Sequence, residues 1–132
     1  MQVDIAQLEW RRMAIRARGN ELIVDDTLEA GGPGDGWRPS ELLLGGLGAC
    51  MIGTMLTFAK NQGIEVRDVS MHLEDAAFDH PDRIGIIDIR MELGTDATEK
   101  QRKTLERVAA RCKIHNTLER PPEVNFDFVV TD

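Results

Sequence analysis

The sequence predicts an α+β fold with the element order ββαββαβ, in which curved antiparallel sheets wrap a buried central helix and a second, cysteine-bearing helix. The prediction depends on segments that alternate apolar and polar side chains, one long segment that is apolar on all sides, and one segment with apolar side chains at helical spacing. Apart from a loop at residues 31–36, no segment rich in proline, glycine or serine interrupts the chain, so residues 1–132 are expected to form one domain.

Residues 8–26 are expected to form a β-hairpin. Residues 8–18 place Met13 and Ile15 on one side of a two-residue period, and Gly19–Asn20 supplies a turn into residues 21–26. A glycine-rich loop at residues 31–36 then joins the hairpin to the rest of the same fold.

The first helix is predicted from Pro39 to Gln62. Proline near the start favours a helix N-terminus, and Gly63 occupies the position where a left-handed cap commonly ends a helix. No charged side chain interrupts the segment between Glu41 and Lys60, so the helix is expected to be buried on all sides. Its glycines lie inside the helical pattern and not after a strand, which favours packing over a phosphate-binding loop. They are Gly45, Gly46, Gly48 and Gly53.

Three further strands are predicted after this helix. Alternating side chains indicate strands over residues 66–73 and 85–93, with a turn at residues 80–83 between them. After Pro121–Pro122, residues 124–130 alternate again and predict a closing strand.

The second helix is predicted between these strands, beginning at Thr95 or Thr98 with an acidic residue in its first turns. Its apolar stripe follows the i, i+3, i+4, i+7 pattern and includes a cysteine. The stripe consists of Leu105, Val108, Ala109 and Cys112. The sequence therefore predicts that Cys112 lies on the buried face of this helix.

The composition limits the classes of function. A net charge of −7 disfavours nucleic acids and anionic membrane surfaces as partners. No basic segment followed by an apolar stretch opens the chain, so a soluble, cytoplasmic protein is expected. A hydrophobic content of 42% is high for a domain of 132 residues, which favours an oligomer.

The two cysteines are the candidate reactive groups. A structural disulfide would be reduced in the cytoplasm, so the pair is either two buried thiols or a redox couple. Cys50 lies in the apolar helix, where desolvation is expected to raise the pKa of its thiol, and a cation from another segment would then be needed to activate it. Arg11, Arg12 and Arg38 are the candidates, and Arg11 shares strand parity with apolar residues that face the core.

A metal site is a weaker alternative for the second cysteine. Cys112 and His115 have a spacing that zinc can use, but closed zinc sites need four ligands, and only Cys50, His72 and His80 remain to complete one. His115 is expected instead to cap the C-terminus of the second helix, with polarisation of the Cys112 thiol as the alternative.

The segment from Arg38 to Cys50, Arg-Pro-Ser-Glu-Leu-Leu-Leu-Gly-Gly-Leu-Gly-Ala-Cys, resembles the helix around the peroxidatic cysteine of the OsmC/Ohr family, the osmotically induced and organic hydroperoxide resistance proteins. The segment from Arg111 to Leu118 is similar to the second cysteine segment of the OsmC-like branch. The resemblance extends over nearly the whole chain and is most specific around the two cysteines.

The resemblance implies an intertwined homodimer with two sites at the subunit interface. It implies that Cys50 attacks an organic hydroperoxide and becomes a sulfenic acid, which Cys112 resolves as a disulfide. It also implies recycling by small or protein-borne dithiols, lipoyl groups among them, without a metal or another cofactor.

The sequence departs from the family at the residues that activate the first cysteine. The family has a glutamate directly after the helix-starting proline, and here that position is Ser40, with Glu41 one residue later. A step of one residue turns a helix by about 100°, so Glu41 aims its carboxylate differently. Arg11 is the best match to the activating arginine, with Arg12 as the second choice.

The departure keeps other functions open. The first hypothesis is reduction of organic hydroperoxides through Cys50 and Cys112. The second is a non-enzymatic role in redox sensing or in binding a small apolar ligand, and the third is that both cysteines are inert and structural.

Overall fold

A computed structural model describes residues 1–131 and shows an α+β fold, which confirms the predicted fold class. The strands are β1 (Asp4–Glu9), β2 (Arg12–Ala17), β3 (Asn20–Val24), β4 (Val66–Phe78) and β5 (Arg83–Thr95). The helices are α1 (Pro39–Asn61), α2 (Glu99–Ala109) and α3 (Lys113–Glu119). The chain divides into two compact units, Met1–Gly46 and Leu47–Asp132, and the boundary between them falls within α1.

The first unit contains an antiparallel sheet of three strands in the order β1-β2-β3, where the sequence predicted only two. The turn between β2 and β3 is formed by Arg18 and Gly19, both with positive φ, so it is centred one residue earlier than expected. The additional turn between β1 and β2 contains Trp10 with φ 52°. A turn that uses tryptophan in place of glycine, proline or asparagine gives no compositional signal, which is why β1 was missed.

The second unit is built on a long antiparallel hairpin of β4 and β5, whose residue pairs run from Val66–Thr95 to Phe78–Arg83. The α1 helix lies close against β4 at Gly48, where an added Cβ would be 2.9 Å from the Met71 sulfur. Glycine suits such a close approach, because any side chain at this position would have to displace the ends of the neighbouring side chains.

The α1 helix is buried on one side only, so the prediction of burial on all sides is wrong for the single chain. Its buried residues are Leu47, Gly48, Met51, Met55 and Ala59. An added Cβ at Gly45, Gly46 or Gly53 would have no other atom within 4 Å. Of the four glycines, only Gly48 therefore serves packing within the chain.

The α1 helix is long and apolar enough to cross a membrane, but the apolar core helices of other proteins meet the same two criteria.

The apolar interior of the second unit has two clusters. The first joins α1 to α2 through Met55, Ala59, Ala97, Leu105 and Ala109. The second contains Leu47, Met51 and Cys112. Thr98 and Gln101 form a capping box at the start of α2, which confirms one of the two predicted start positions.

Two predicted elements differ in the structure. Helix α2 ends at Ala109, and Cys112 is the residue that caps α3, so it does not extend the apolar stripe of α2. Residues 121–131 form no strand, and the apolar residues of the predicted closing strand are exposed: Val124, Phe126, Phe128 and Val130. An alternating segment becomes a strand only when a neighbouring edge supplies backbone hydrogen bonds, and within residues 1–131 none does so for this segment.

Candidate functional site

The structure brings the two predicted cysteines into one apolar cluster, although they are 62 positions apart in the chain. Cys112 is 1% exposed and packs with Leu47 and Met51, and Cys50 contacts the same cluster from α1. Both thiols are free. The candidate site is therefore a dithiol in an apolar environment.

The position of Cys112 follows from the break between α2 and α3. The backbone of Cys112 is extended, with φ −72° and ψ 160°, as at most helix N-caps. Its sulfur accepts a hydrogen bond from the backbone N–H of His115 over 3.3 Å. A sulfur atom thus takes the place of the oxygen with which serine, threonine or aspartate usually caps a helix, and this bond fixes the thiol at the start of α3.

The surroundings of Cys50 favour its thiolate. A hydrogen bond from the backbone N–H of Ile114 lowers the pKa of Cys50, and burial opposes this effect. Smaller contributions in the same direction come from the Cys112 side chain, the backbone N–H of Lys113 and the Thr54 side chain. Hydrogen bonds to a charged form stabilise it relative to the neutral form, so Cys50 is the more acidic of the two thiols.

This result differs from the sequence prediction, in which burial raised the pKa of Cys50 and an arginine had to offset it. Among the described residues, the groups that lower this pKa are backbone N–H groups and uncharged side chains. They belong to Cys112, to the start of α3 and to the next turn of α1. A sequence does not indicate which backbone N–H groups will reach a given thiol, because every residue except proline has one.

The environment of Cys112 has the opposite effect. Burial raises the pKa of the Cys112 thiol, and this effect outweighs the hydrogen bond from the backbone of His115. A neighbouring Cys50 thiolate also raises the pKa of Cys112, because two negative charges at short range disfavour each other. Of the two thiols, Cys50 therefore loses its proton first, and Cys112 keeps its proton to higher pH.

Access to the pair is through Cys50. A groove of about 620 Å³ runs along α1 and is lined by Cys50, Gly53, Thr54, Thr57, Phe58, Asn61 and Val108. The absence of a side chain at Gly53 leaves open space beside the thiol. A second cavity of about 680 Å³ contains Met51 and Met55 but not Cys50. We assign the approach of a reactant to the groove, because it contains the more acidic sulfur.

Two of the three predicted arginines, Arg11 and Arg12, are paired with carboxylates of the first unit. The Arg11 side chain is 60% exposed and its Nε lies 3.1 Å from Asp26, which differs from the core-facing orientation expected from strand parity. Strand β2 begins at Arg12, so Arg11 lies in the turn and the parity does not apply to it. A role for Arg11 in activating Cys50 stays a prediction.

Arg12, the second choice, anchors the glycine-rich loop. Its Nη1 lies 3.0 Å from the carboxylate of the buried Asp25 and 2.6 Å from that of Asp35. The hydrogen bond from Arg12 lowers the pKa of Asp35, since it stabilises the carboxylate. These contacts fix the loop that precedes α1.

Glu41 has a structural role at the start of α1. Its carboxylate accepts a hydrogen bond of 2.7 Å from the backbone N–H of Arg38, which satisfies one of the free donors at the helix N-terminus. Arg38 is thus connected to Glu41 through its backbone. Whether Glu41 also orients an activating arginine stays a prediction.

His115 lies in the first turn of α3, so the prediction that it caps the C-terminus of α2 is wrong. Its Nε2 is 3.1 Å from the Glu119 carboxylate, and its Nδ1 is buried without a hydrogen-bond partner. Within residues 1–131 no group of three or more histidine, cysteine, aspartate or glutamate side chains is arranged to hold a metal ion.

Sequence reasoning missed three groups at the site, the backbone N–H groups of Ile114 and Lys113 and the hydroxyl of Thr54. The first two depend on where α3 begins, which the sequence did not indicate. The third was visible, because Thr54 follows Cys50 by four residues and this spacing places two side chains on the same helix face.

Comparison with known proteins identifies the family of this chain. Residues 32–127 match the model of the OsmC-like protein family, a range that includes both cysteines. No curated protein sequence matches the chain.

Several solved structures share the fold. The OsmC-like protein of Mycoplasma pneumoniae is 22% identical, with 91% of this chain and 87% of that chain covered and a TM-score of 0.79. The organic hydroperoxide resistance protein OsmC of Legionella pneumophila is 20% identical, with coverages of 91% and 90% and a TM-score of 0.66. The organic hydroperoxide resistance protein OhrB of Bacillus subtilis is 17% identical, with coverages of 92% and 93% and a TM-score of 0.62. At these identities the likeness establishes the fold alone.

Proposed function

Since the chain belongs to the OsmC-like protein family, we propose that it is a thiol-dependent peroxidase that reduces organic hydroperoxides through Cys50 and Cys112. Two structurally similar proteins are named organic hydroperoxide resistance proteins, which supports this class of substrate. The observation that carries the proposal is the pairing of two free thiols with opposite pKa shifts in one apolar cluster.

The opposite shifts assign different roles to the two sulfurs. A peroxide is attacked by a thiolate and not by a thiol, so the thiol with the lowered pKa and an open groove, Cys50, is the nucleophile. Cys112 is buried and its pKa is raised, so it is less reactive toward the peroxide than Cys50 and remains available for the second step.

The reaction can be written with its atoms and electrons balanced. The Cys50 thiolate attacks the distal oxygen of the hydroperoxide, the O–O bond breaks, and the alkoxide takes the proton of Cys112 to leave as an alcohol. The Cys112 thiolate then attacks the Cys50 sulfenic acid, and the hydroxide that leaves takes a proton from solvent to form water. The pair has become a disulfide, and the hydroperoxide has received two electrons.

Recycling requires a reductant that reaches the disulfide. We propose a dithiol, small or carried by a lipoylated protein, which opens the bond through a mixed disulfide and restores both thiols. Because a reducing thiol pool would maintain such a reductant, we also propose that the protein acts in the cytoplasm.

We propose a homodimer as the working form. Residues 121–131 expose several large apolar side chains, with Phe126 at 86% and Val130 at 81% exposure. Isolated exposed apolar residues are common, but a consecutive alternating segment is typical of a strand that lacks its neighbour. A second copy of this chain would cover the segment, and light scattering on the purified protein tests this by its mass.

The test of the proposed activity is a peroxidase assay with matched cysteine variants. The purified protein is mixed with cumene hydroperoxide and either dithiothreitol or dihydrolipoamide, and the loss of peroxide is followed. We expect Cys50→Ser to abolish consumption. Cys112→Ser should allow the first step, because serine also caps a helix and preserves the start of α3. Its Cys50 sulfenic acid should be trapped by dimedone and detected by mass spectrometry.

Consumption of peroxide that survives Cys50→Ser would refute the proposal, as would sulfenic acid formation in Cys112→Ser that is no faster than on a free thiol. The wild-type protein should show a disulfide between Cys50 and Cys112 after one equivalent of peroxide.

A second candidate function is redox sensing or binding of a small apolar ligand without turnover. The contacts of Glu41 with the Arg38 backbone and of Arg11 with Asp26 favour it, because neither side chain is directed to a partner that would activate a thiol. This function predicts that the disulfide forms after mild oxidation while turnover stays negligible with both dithiols. Multiple turnovers in the assay above would refute it.

A further inference from the structure

Thr54 lies one helical turn beyond Cys50 on α1. The two side chains line the same groove, and Thr54 is half-buried. Residues separated by four positions are neighbours on one helix face, with Cβ atoms about 5–6 Å apart. The Thr54 hydroxyl is therefore placed beside the sulfur on the side from which a reactant enters.

The behaviour of other helical threonines shows what is different here. A threonine in a helix commonly donates its hydroxyl to the carbonyl four residues earlier. Thr104 does so to the Lys100 carbonyl at 3.1 Å, and Thr117 to that of Lys113 at 2.8 Å. For Thr54, the group four residues earlier that it affects is the Cys50 side chain, whose pKa it lowers within the groove that both residues line.

We propose that Thr54 is a further catalytic residue, whose hydroxyl donates a hydrogen bond to the Cys50 thiolate at the mouth of the groove. This inference rests on the proposed function, because it concerns how the same thiolate is held for attack.

A donor to the thiolate has two opposing effects on the reaction rate. It increases the fraction of thiolate, and it lowers the intrinsic nucleophilicity of that thiolate. Because nucleophilicity falls by only about 0.4–0.5 of a logarithmic unit for each unit of pKa, the gain in thiolate fraction dominates at any pH below the pKa. Below that pH, loss of the hydroxyl should slow the reaction.

The experiment compares three variants. Thr54→Val removes the hydroxyl and keeps the branched shape, Thr54→Ser restores a hydroxyl, and Thr57→Val removes the hydroxyl of another threonine that lines the same groove. Alkylation of Cys50 by iodoacetamide is measured between pH 5 and 10, and peptide mass spectrometry separates Cys50 from Cys112. Thermal unfolding verifies that each variant is folded.

We expect Thr54→Val to move the alkylation profile of Cys50 to higher pH and to slow alkylation at pH 6 by about 2- to 5-fold, as loss of one modest hydrogen bond predicts. Thr54→Ser should recover most of the effect, and Thr57→Val should match the wild-type profile. Peroxide consumption at pH 6 should fall in the same order.

The inference is overturned if Thr54→Val and Thr57→Val give the same profile, or if Thr54→Ser recovers nothing. The alkylation readout does not depend on peroxidase activity. A profile that shifts as expected in a protein without turnover would support the bond from Thr54 and would count against the proposed function only.

Discussion

Replacement of Gly48 by alanine tests the close contact that positions Cys50. The added methyl group would lie 2.9 Å from the Met71 sulfur and 3.1 Å from a Leu73 methyl carbon. Overpacking of this kind costs about 1–3 kcal/mol, while alanine in a helix interior is more favourable than glycine by about 1 kcal/mol. We expect Gly48→Ala to change the free energy of unfolding by about 0 to 2 kcal/mol in the destabilising direction.

Gly45→Ala is the matched control on the same helix. An added Cβ at Gly45 has no other atom within 4 Å, so only the helix propensity acts and this variant should be more stable than the wild type by about 1 kcal/mol. The two variants should therefore differ by about 1–3 kcal/mol. Urea unfolding resolves this difference, since a slope of about 1–3 kcal/mol per molar converts it to a midpoint shift on the order of 1 M.

The contact also has a consequence for reactivity. Gly48 precedes Cys50 by two residues, and a helix displaced from β4 would carry Cys50 away from the N–H groups of α3. We expect slower alkylation of Cys50 in Gly48→Ala and an unchanged rate in Gly45→Ala. Equal stabilisation by both substitutions would refute the close packing of α1 on β4. Unchanged alkylation in a destabilised Gly48→Ala would refute its role in placing the thiol.

Two further predictions concern the site and the core. Lys113→Pro removes one backbone N–H donor to Cys50, and proline is tolerated there because it suits the first position of a helix that follows an extended residue. The pKa of Cys50 should rise, so the alkylation profile of Cys50 should move to higher pH. The control Lys113→Ala keeps the N–H and should keep the wild-type profile. Identical profiles for both would exclude a role for this donor. Leu105→Ala should lower the free energy of unfolding by about 2–5 kcal/mol, because Leu105 is 3% exposed in the core. Leu118→Ala, at 40% exposure, should change it by less than about 1 kcal/mol, and chemical unfolding at fixed protein concentration compares the two.

Local patterns in the sequence predicted most of the fold. Alternation in β4 and β5, the apolar segment of α1 and the Thr98 start of α2 each depend on neighbouring residues, so their signal lies within a short window. The errors arose where a signal was absent or needed a partner. Trp10 forms a turn without a typical turn residue, and residues 124–130 alternate without an edge to pair with.

The candidate site was predicted in part. Cys50 and Cys112 were identified from the sequence, and the structure places them together. The direction of the Cys50 pKa shift was predicted wrongly, because the helical pattern around Cys50 indicates apolar surroundings but not which donors of another segment reach the sulfur. The break between α2 and α3 was missed, since the apolar spacing continues through Cys112 even though the backbone does not.

The sequence by itself determined the fold class, the apolar helix that carries Cys50 and the identity of both cysteines, since each follows from residue type and spacing along the chain. The tertiary structure decided which cysteine is the more acidic. That property depends on the N–H groups of Lys113 and Ile114, which act on Cys50 only after α3 has been packed against α1. A hydrogen bond acts over about 3 Å through space, and the sequence separation of its partners does not determine that distance.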